Sequence, residues 1–322
     1  MNLKRIGAID VLRGLAAFFI IGNHLCLSPA QETARGLLHY CNMFVGIFAA
    51  VSGYFLALSF KANPCSYEVW AKRAKRILLP YFLWTIVYLG ASQLFGIIAG
   101  DGLRLDRLMD PYYLFTAIFF GNSSAHLWFL SGLFYAVTVF CIVCHYFPVL
   151  AIKSLPWWIV SGVLLACSIM TDGRYSLYEA RLFAFFAMGY AFAVGKKDVS
   201  GRRPCFLLIL LALALTGHFF LDEIHQFVRD YIVAVLVLAL VTHDAPLLRC
   251  SNRVTKALGE YSMGIYLVHP LFCAGLGVVA KKVFVQPYGP VAILLDWLVV
   301  FALSIVLVWV LRKIPYVGRS VL

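Results

Sequence analysis

A chain of 322 residues that is 62% hydrophobic and 13% charged cannot hide its apolar side chains in one water-soluble core, since soluble domains run at about 45–50% apolar and about 25% charged. Its net charge of +12 sits in short loops between apolar runs. That assigns it to membrane topology and not to nucleic-acid binding. A spanning helix takes roughly 20 mainly apolar residues. The first such run is 7–27, behind Lys4 and Arg5. Asp10 and Arg13 interrupt its start and no small-x-small cleavage site follows, so it reads as an uncleaved span and not as a signal peptide. Further spans are expected at 40–60, 77–99, 126–147, 156–171, 179–195, 205–221, 228–243, 258–280 and 290–311. Residues 112–121 are apolar but too few to cross, and read as an interfacial or re-entrant helix. No soluble domain and no internal repeat interrupts this order. The expectation is an all-α bundle of about ten transmembrane helices, forming one domain over residues 1–322.

The nine cysteines show no metal-ligand spacing. Cys141 and Cys144 form a C-x-x-C inside an apolar run with no second pair, so they read as small apolar helix residues. Cys26 and Cys41 flank one loop and are close enough in sequence to pair in an oxidising compartment.

Basic loops set the orientation. With residue 1 in the cytoplasm and ten alternating spans, 19 of the 27 Lys and Arg residues fall inside and 8 outside. The inner set includes Lys61, Lys72, Arg73, Lys75, Arg76, Arg312 and Lys313. An odd number of spans places the basic C-terminal tail outside, so the charge pattern favours ten spans with both termini cytoplasmic.

Charged and titratable groups at membrane depth are costly and mark candidate sites. Arg13 and His24 lie eleven residues apart, about three turns or roughly 16 Å along one helix face. Asp10 precedes Arg13 by three residues on that face and is placed to pair with it. Either this stripe lines a cavity, or Arg13 snorkels to the inner interface while His24 sits at the outer one. Ser52-Gly53-Tyr54 in the second span suits close helix packing or the approach of a ligand. Arg73, Lys75 and Arg76 at the inner start of the third span form either a phosphate site or a positive-inside anchor. His126 and Trp128 at the outer start of the fourth span form either a site or part of an aromatic belt. Ser262, Tyr266 and His269 recur at i, i+4 and i+7 on one face of the ninth span. Arg181 opens the sixth span on the outer side.

Taken in order, these motifs resemble the acyltransferase-3 family of membrane acyltransferases. Asp10-Val-Leu-Arg13-Gly14 followed by His24 looks like that family's first-helix Arg-x10-His motif. The run from Phe44 to Tyr54, ending Val-Ser-Gly-Tyr, is similar to its second-helix motif ending Ser-Gly-Phe. Arg73-Ala-Lys-Arg76-Ile-Leu-Leu-Pro80 resembles the basic start of its third helix. His126-Leu-Trp-Phe-Leu130 and the run from Leu258 to His269 resemble two later motifs. The likeness extends from residue 8 to about residue 312. The stretch Val45–Ala50 lacks the acid often found in the second-helix motif, and the secreted esterase-like domain of some members is missing. The chain resembles the short stand-alone members, which modify surface polysaccharides, their lipid-linked precursors or small secreted molecules.

The resemblance implies transfer of an acyl group, most often acetyl, from cytoplasmic acyl-coenzyme A to a hydroxyl on an extracytoplasmic or lipid-linked glycan. It implies a multi-pass protein of a bacterial cytoplasmic membrane, with the donor as substrate and no permanently bound cofactor or metal. An acyl transfer needs a base at the acceptor hydroxyl and donors for the developing oxyanion. His24 is the expected base, because imidazole titrates near neutral pH. Arg13, fixed by Asp10, is expected to hold the donor or stabilise charge. Arg73, Lys75 and Arg76 are expected on the donor phosphates. Ser52, His126, Trp128 and Arg181 are candidates for substrate contacts, and Tyr266 and His269 for hydrogen bonds to the reacting carbonyl. A covalent acyl-histidine is a further option. The rival class is a secondary transporter, which also carries intramembrane Arg and His; no inverted pair of broken helices supports it. A non-catalytic scaffold has no need of the polar stripe.

Overall fold

The computed structural model describes residues 7–25, 32–62, 67–103, 108–124, 126–170, 178–195, 226–242, 252–283 and 290–315. Every regular element among them is a helix: α1 Gly7–Leu25, α2 Glu32–Ala62, α3 Tyr67–Ala99, α4 Pro111–Phe120, α5 Trp128–Tyr146, α6 Pro148–Ile152, α7 Leu155–Met170, α8 Tyr178–Gly195, α9 Gln226–Val241, α10 Arg253–Val283 and α11 Pro290–Lys313. Nine of the ten expected spans fall on these helices. The tenth, 205–221, lies outside the described residues, as does Cys26. Five helical stretches are long and apolar enough to cross a bilayer: Gly7–Leu25, Cys41–Lys61, Tyr67–Ile98, Trp128–Tyr146 and Val291–Lys313. The protein is a polytopic helical membrane protein.

Burial separates the helices that face lipid from those that face protein. The apolar window of α2 is 67% buried, whereas those of α3 and α11 are each 28% buried. On α11 the exposed side chains are Leu294, Leu295, Leu298, Val299, Leu303, Val306 and Val310, a surface that only hydrocarbon makes favourable.

Contacts group the helices into two compact units. One holds residues 1–16, 43–74 and 135–259; the other holds 17–42, 75–134 and 260–322. In the first unit, α2 and α8 touch backbone to backbone. Gly53 lies against the Phe186 carbonyl, and Gly189 lies against the Ala50 carbonyl. Only glycine lets two helices approach this closely from both sides. Trp157 of α7 stacks on Phe140 of α5 at 4.1 Å, and Tyr190 of α8 edges onto both. Cys141 and Cys144 are buried inside α5, as small apolar residues are. Gly14 and Gly259 meet Leu258 and Asp10 respectively where α1 passes α10.

In the second unit, Phe18 of α1 packs on Phe301 and stacks on Trp297 of α11, each at 5.0 Å. Gly22, one turn further along α1, lies against Trp297. Residue numbers rise on one helix as they fall on the other, so α1 and α11 run antiparallel. Helix α4 has a full set of local signals. Asp110 caps it by accepting from the Tyr112 N–H at 2.9 Å, Pro111 opens it, and Gly121 closes it at φ 76°. Its last carbonyls, Ala117 and Ile118, accept from the buried Tyr81 hydroxyl at 3.0 and 2.9 Å. Tyr81 stands 18 residues before the end of α3, so α4 ends against the interior of that helix.

Candidate active site

Four of the residues marked in the sequence, His24, His126, Tyr266 and His269, come together in the second unit. His24 sits in the last turn of α1, where the helix end carries partial negative charge, and it is half-buried. His126 lies in the turn that leads into α5 and is 2% exposed; His269 lies inside α10 and is 0% exposed. The ring centroids are 5.0 Å apart for His24 and His269, 5.5 Å for His126 and His269, and 6.3 Å for His24 and His126. Two tyrosines wall the cluster. Tyr88 of α3 lies 5.0 Å from His126, and Tyr266 of α10 lies 5.3 Å from His126 and 6.0 Å from His269.

Hydrogen bonds fix what these groups can do. The Tyr88 hydroxyl donates to the Leu267 carbonyl at 2.6 Å. The Tyr266 hydroxyl donates to the backbone carbonyl of His126. Through that bond Tyr266 braces the His126 turn. Pro270 lies inside α10 and has no N–H, which removes the usual helical partner of the Tyr266 carbonyl. One residue earlier in the helix ladder, His269 Nδ1 lies 3.2 Å from the Ile265 carbonyl oxygen. Ser124 Oγ meets His126 Nδ1 at 3.0 Å. The Nε2 atoms of both His126 and His269 are buried without a hydrogen-bond partner among the described residues. Buried polar atoms are rarely left so, and each one asks for a reason. Among the described residues no group of three or more His, Cys, Asp or Glu converges as a metal site.

The other candidates occupy different surroundings. In the first unit, Asp10 is 6% exposed and faces Gly259, where any Cβ falls on its carboxyl; Arg13 is half-buried one turn along α1. The Ser52 hydroxyl donates to the Phe48 carbonyl at 2.9 Å within its own helix. Arg73 reaches back to α2, donating to the Phe55 carbonyl at 2.6 Å and to Ser59 Oγ at 2.8 Å, which makes it part of the α2–α3 packing. Arg181 is ion-paired to the fully buried Asp230 at 2.7 Å, with its guanidinium 4.5 Å from the Phe227 ring. In the second unit, Lys75 and Arg76 are exposed on α3, and Trp128 is half-buried beside Phe129.

Sequence reasoning missed Tyr88, Ser124, Asp230 and the bond from Asn23 Nδ2 to Asn42 Oδ1 at 2.7 Å. Asp230 carried a usable signal, being an acid at the head of the apolar run Tyr231–Val241 beside Arg229. Tyr88 carried none that separates it from the other 16 tyrosines.

These features define a multi-pass membrane protein with an imidazole cluster near the end of its first helix. A family model described as an acyltransferase domain matches residues 6–313. The chain belongs to this family, the acyltransferase-3 family, and is a membrane acyltransferase. Neither a curated protein nor a solved structure matches it.

Proposed function

We propose that the protein transfers an acyl group, acetyl in the leading case, from cytoplasmic acyl-coenzyme A to a hydroxyl of an extracytoplasmic or lipid-linked glycan in a bacterial cytoplasmic membrane. The observation that carries the reading is the convergence of His24, His126 and His269, drawn from three distant parts of the chain. His24 is the base: it takes the acceptor hydroxyl proton as the oxygen attacks the acyl carbonyl, and returns it to the leaving group. Arg13, eleven residues earlier on the same helix, binds the donor or its developing charge, with Asp10 holding the guanidinium. The exposed Lys75 and Arg76 meet the donor phosphates at the cytoplasmic end of α3. Arg73 supports them through its bonds to α2. The acceptor is met on the outer side, with His126 and Trp128 nearby.

The test is a transfer assay on purified protein in detergent with labelled acetyl-coenzyme A and a glycan acceptor, with no membrane gradient. Transfer of label to the acceptor supports the reading. Movement of solute across vesicles without chemical change overturns it in favour of a carrier. Mass spectrometry of surface glycans from a deletion strain beside its parent identifies the acceptor.

A further inference from the structure

The cluster holds one nitrogen whose role its surroundings dictate. His269 Nδ1 faces the Ile265 carbonyl oxygen at 3.2 Å, and a carbonyl only accepts. The proton of the neutral ring therefore sits on Nδ1, and Nε2 carries the lone pair. That atom is an acceptor with no hydrogen to give, so it cannot stabilise an oxyanion as the neutral ring. It belongs to a fully buried residue, and no described residue donates to it. The nearest imidazole is His24, whose ring centroid is 5.0 Å away, against 5.5 Å for His126. Two imidazoles that share an N–H···N bond of about 2.9 Å have centroids about 5 Å apart. The rings are tilted by 49°, and His24 is only half-buried, so a turn of its ring aligns one N–H with the waiting lone pair. Catalytic bonds are commonly misaligned before reactants arrive and tighten when they do.

We propose that His269 is the positioning residue of His24: its Nε2 accepts the N–H of the His24 ring, which turns the other His24 nitrogen, bare of hydrogen, toward the acyl acceptor. This rests on the acyl-transfer reading above. As the acceptor oxygen bonds to the acyl carbon, the hydroxyl proton passes to that bare nitrogen, and the imidazolium formed keeps its second N–H on His269. The bond from the acyl carbon to the leaving group then breaks, and the leaving group departs with the proton from His24. Atoms and charge balance without a further reactant. The arrangement is the general one of a base oriented by a third group, with an imidazole in the orienting position.

Three substitutions separate this role from a merely structural one. His269→Asn keeps an amide N–H near the Nδ1 position, facing Ile265, and places nothing at Nε2. His269→Gln extends an amide oxygen toward the Nε2 position. His269→Leu removes both. Compared as equal amounts of monodisperse protein, His269→Leu and His269→Asn are expected to lose about 10- to 100-fold in kcat with KM for donor and acceptor unchanged, while His269→Gln recovers part of the loss. In a His24→Ala background, His269→Leu is expected to cost nothing further. Full activity in His269→Asn, or an equal cost of His269→Leu in both backgrounds, overturns the proposal. Should the leucine variant fail to fold, the order of the asparagine and glutamine variants decides. An inactive His24→Ala beside an unimpaired His269→Leu sinks only this inference; a fully active His24→Ala sinks it together with the base assignment.

Discussion

Replacing Gly53 or Gly189 with alanine puts a methyl group where two helix backbones already touch. A Cβ on Gly53 falls on the Phe186 carbonyl, with the Tyr190 nitrogen 3.1 Å away, and one on Gly189 falls on the Ala50 carbonyl, with the Ala50 Cα 2.8 Å away. Backbone atoms inside a helix have no rotamer to move into, so α2 and α8 must separate. Overpacking of this kind costs about 1–3 kcal/mol. The helix-propensity gain from removing glycine, roughly 0.5–1 kcal/mol, offsets only part of it. Gly162 on α7 is the control, because a Cβ there meets nothing within 4 Å. Gly162→Ala keeps the propensity gain and pays no steric cost. The assay is thermal unfolding of purified variants in one detergent, where each kcal/mol shifts the midpoint by about 2–4 °C in a chain of a few hundred residues. Gly53→Ala and Gly189→Ala are expected to melt several degrees below the parent, and Gly162→Ala at or above it. Equal midpoints for all three refute the close α2–α8 contact.

Three further outcomes follow from other contacts. Asp230→Ala strands Arg181 and Arg229 beside a buried position and is expected to lower stability by about 3–5 kcal/mol, read by the same melting assay. Arg73→Ala is expected to lower stability through loss of its bonds to α2, whereas Lys75→Ala and Arg76→Ala leave stability within about 0.5 kcal/mol and weaken donor binding about 10- to 100-fold; normal donor affinity in both lysine and arginine variants makes that cluster a topology anchor only. Reporter fusions after Leu322 and between α2 and α3 are both expected to read cytoplasmic, and an external C-terminal reporter contradicts the ten-span expectation.

The helices were legible because lipid imposes a long apolar run on each crossing, and that signal is local. The candidate site was legible where a titratable residue stands within or at the edge of such a run, as His24, His126 and His269 do, although no spacing rule joins residues that far apart. What each residue does once folded was not legible, because a hydrogen bond depends on what the partner helix presents. Arg73 and Arg181 both read as candidate ligand contacts at the ends of spans, yet one bonds to the α2 backbone and the other to a buried carboxylate. Tyr266 read as a hydrogen-bond candidate for the reacting carbonyl, and in the fold its hydroxyl donates to the His126 carbonyl. Ser52-Gly53 read as close helix packing or the approach of a ligand; in the fold the Ser52 hydroxyl bonds within its own helix and Gly53 packs on α8.

The central claim is that His24 moves the proton in an acyl transfer supported by Arg13. It is tested most directly by the rate of acyl transfer by purified, properly folded His24→Ala, His24→Gln and Arg13→Lys proteins at matched concentration. Loss of a general base is expected to lower the rate of both His24 variants by about 10²–10⁴-fold, since the glutamine amide cannot take the proton. Arg13→Lys keeps the charge and loses the planar fork, so it is expected to fail as well if Arg13 grips an oxygen with two bonds. Full activity in His24→Ala and Arg13→Lys contradicts the account and leaves the first helix as a membrane span alone.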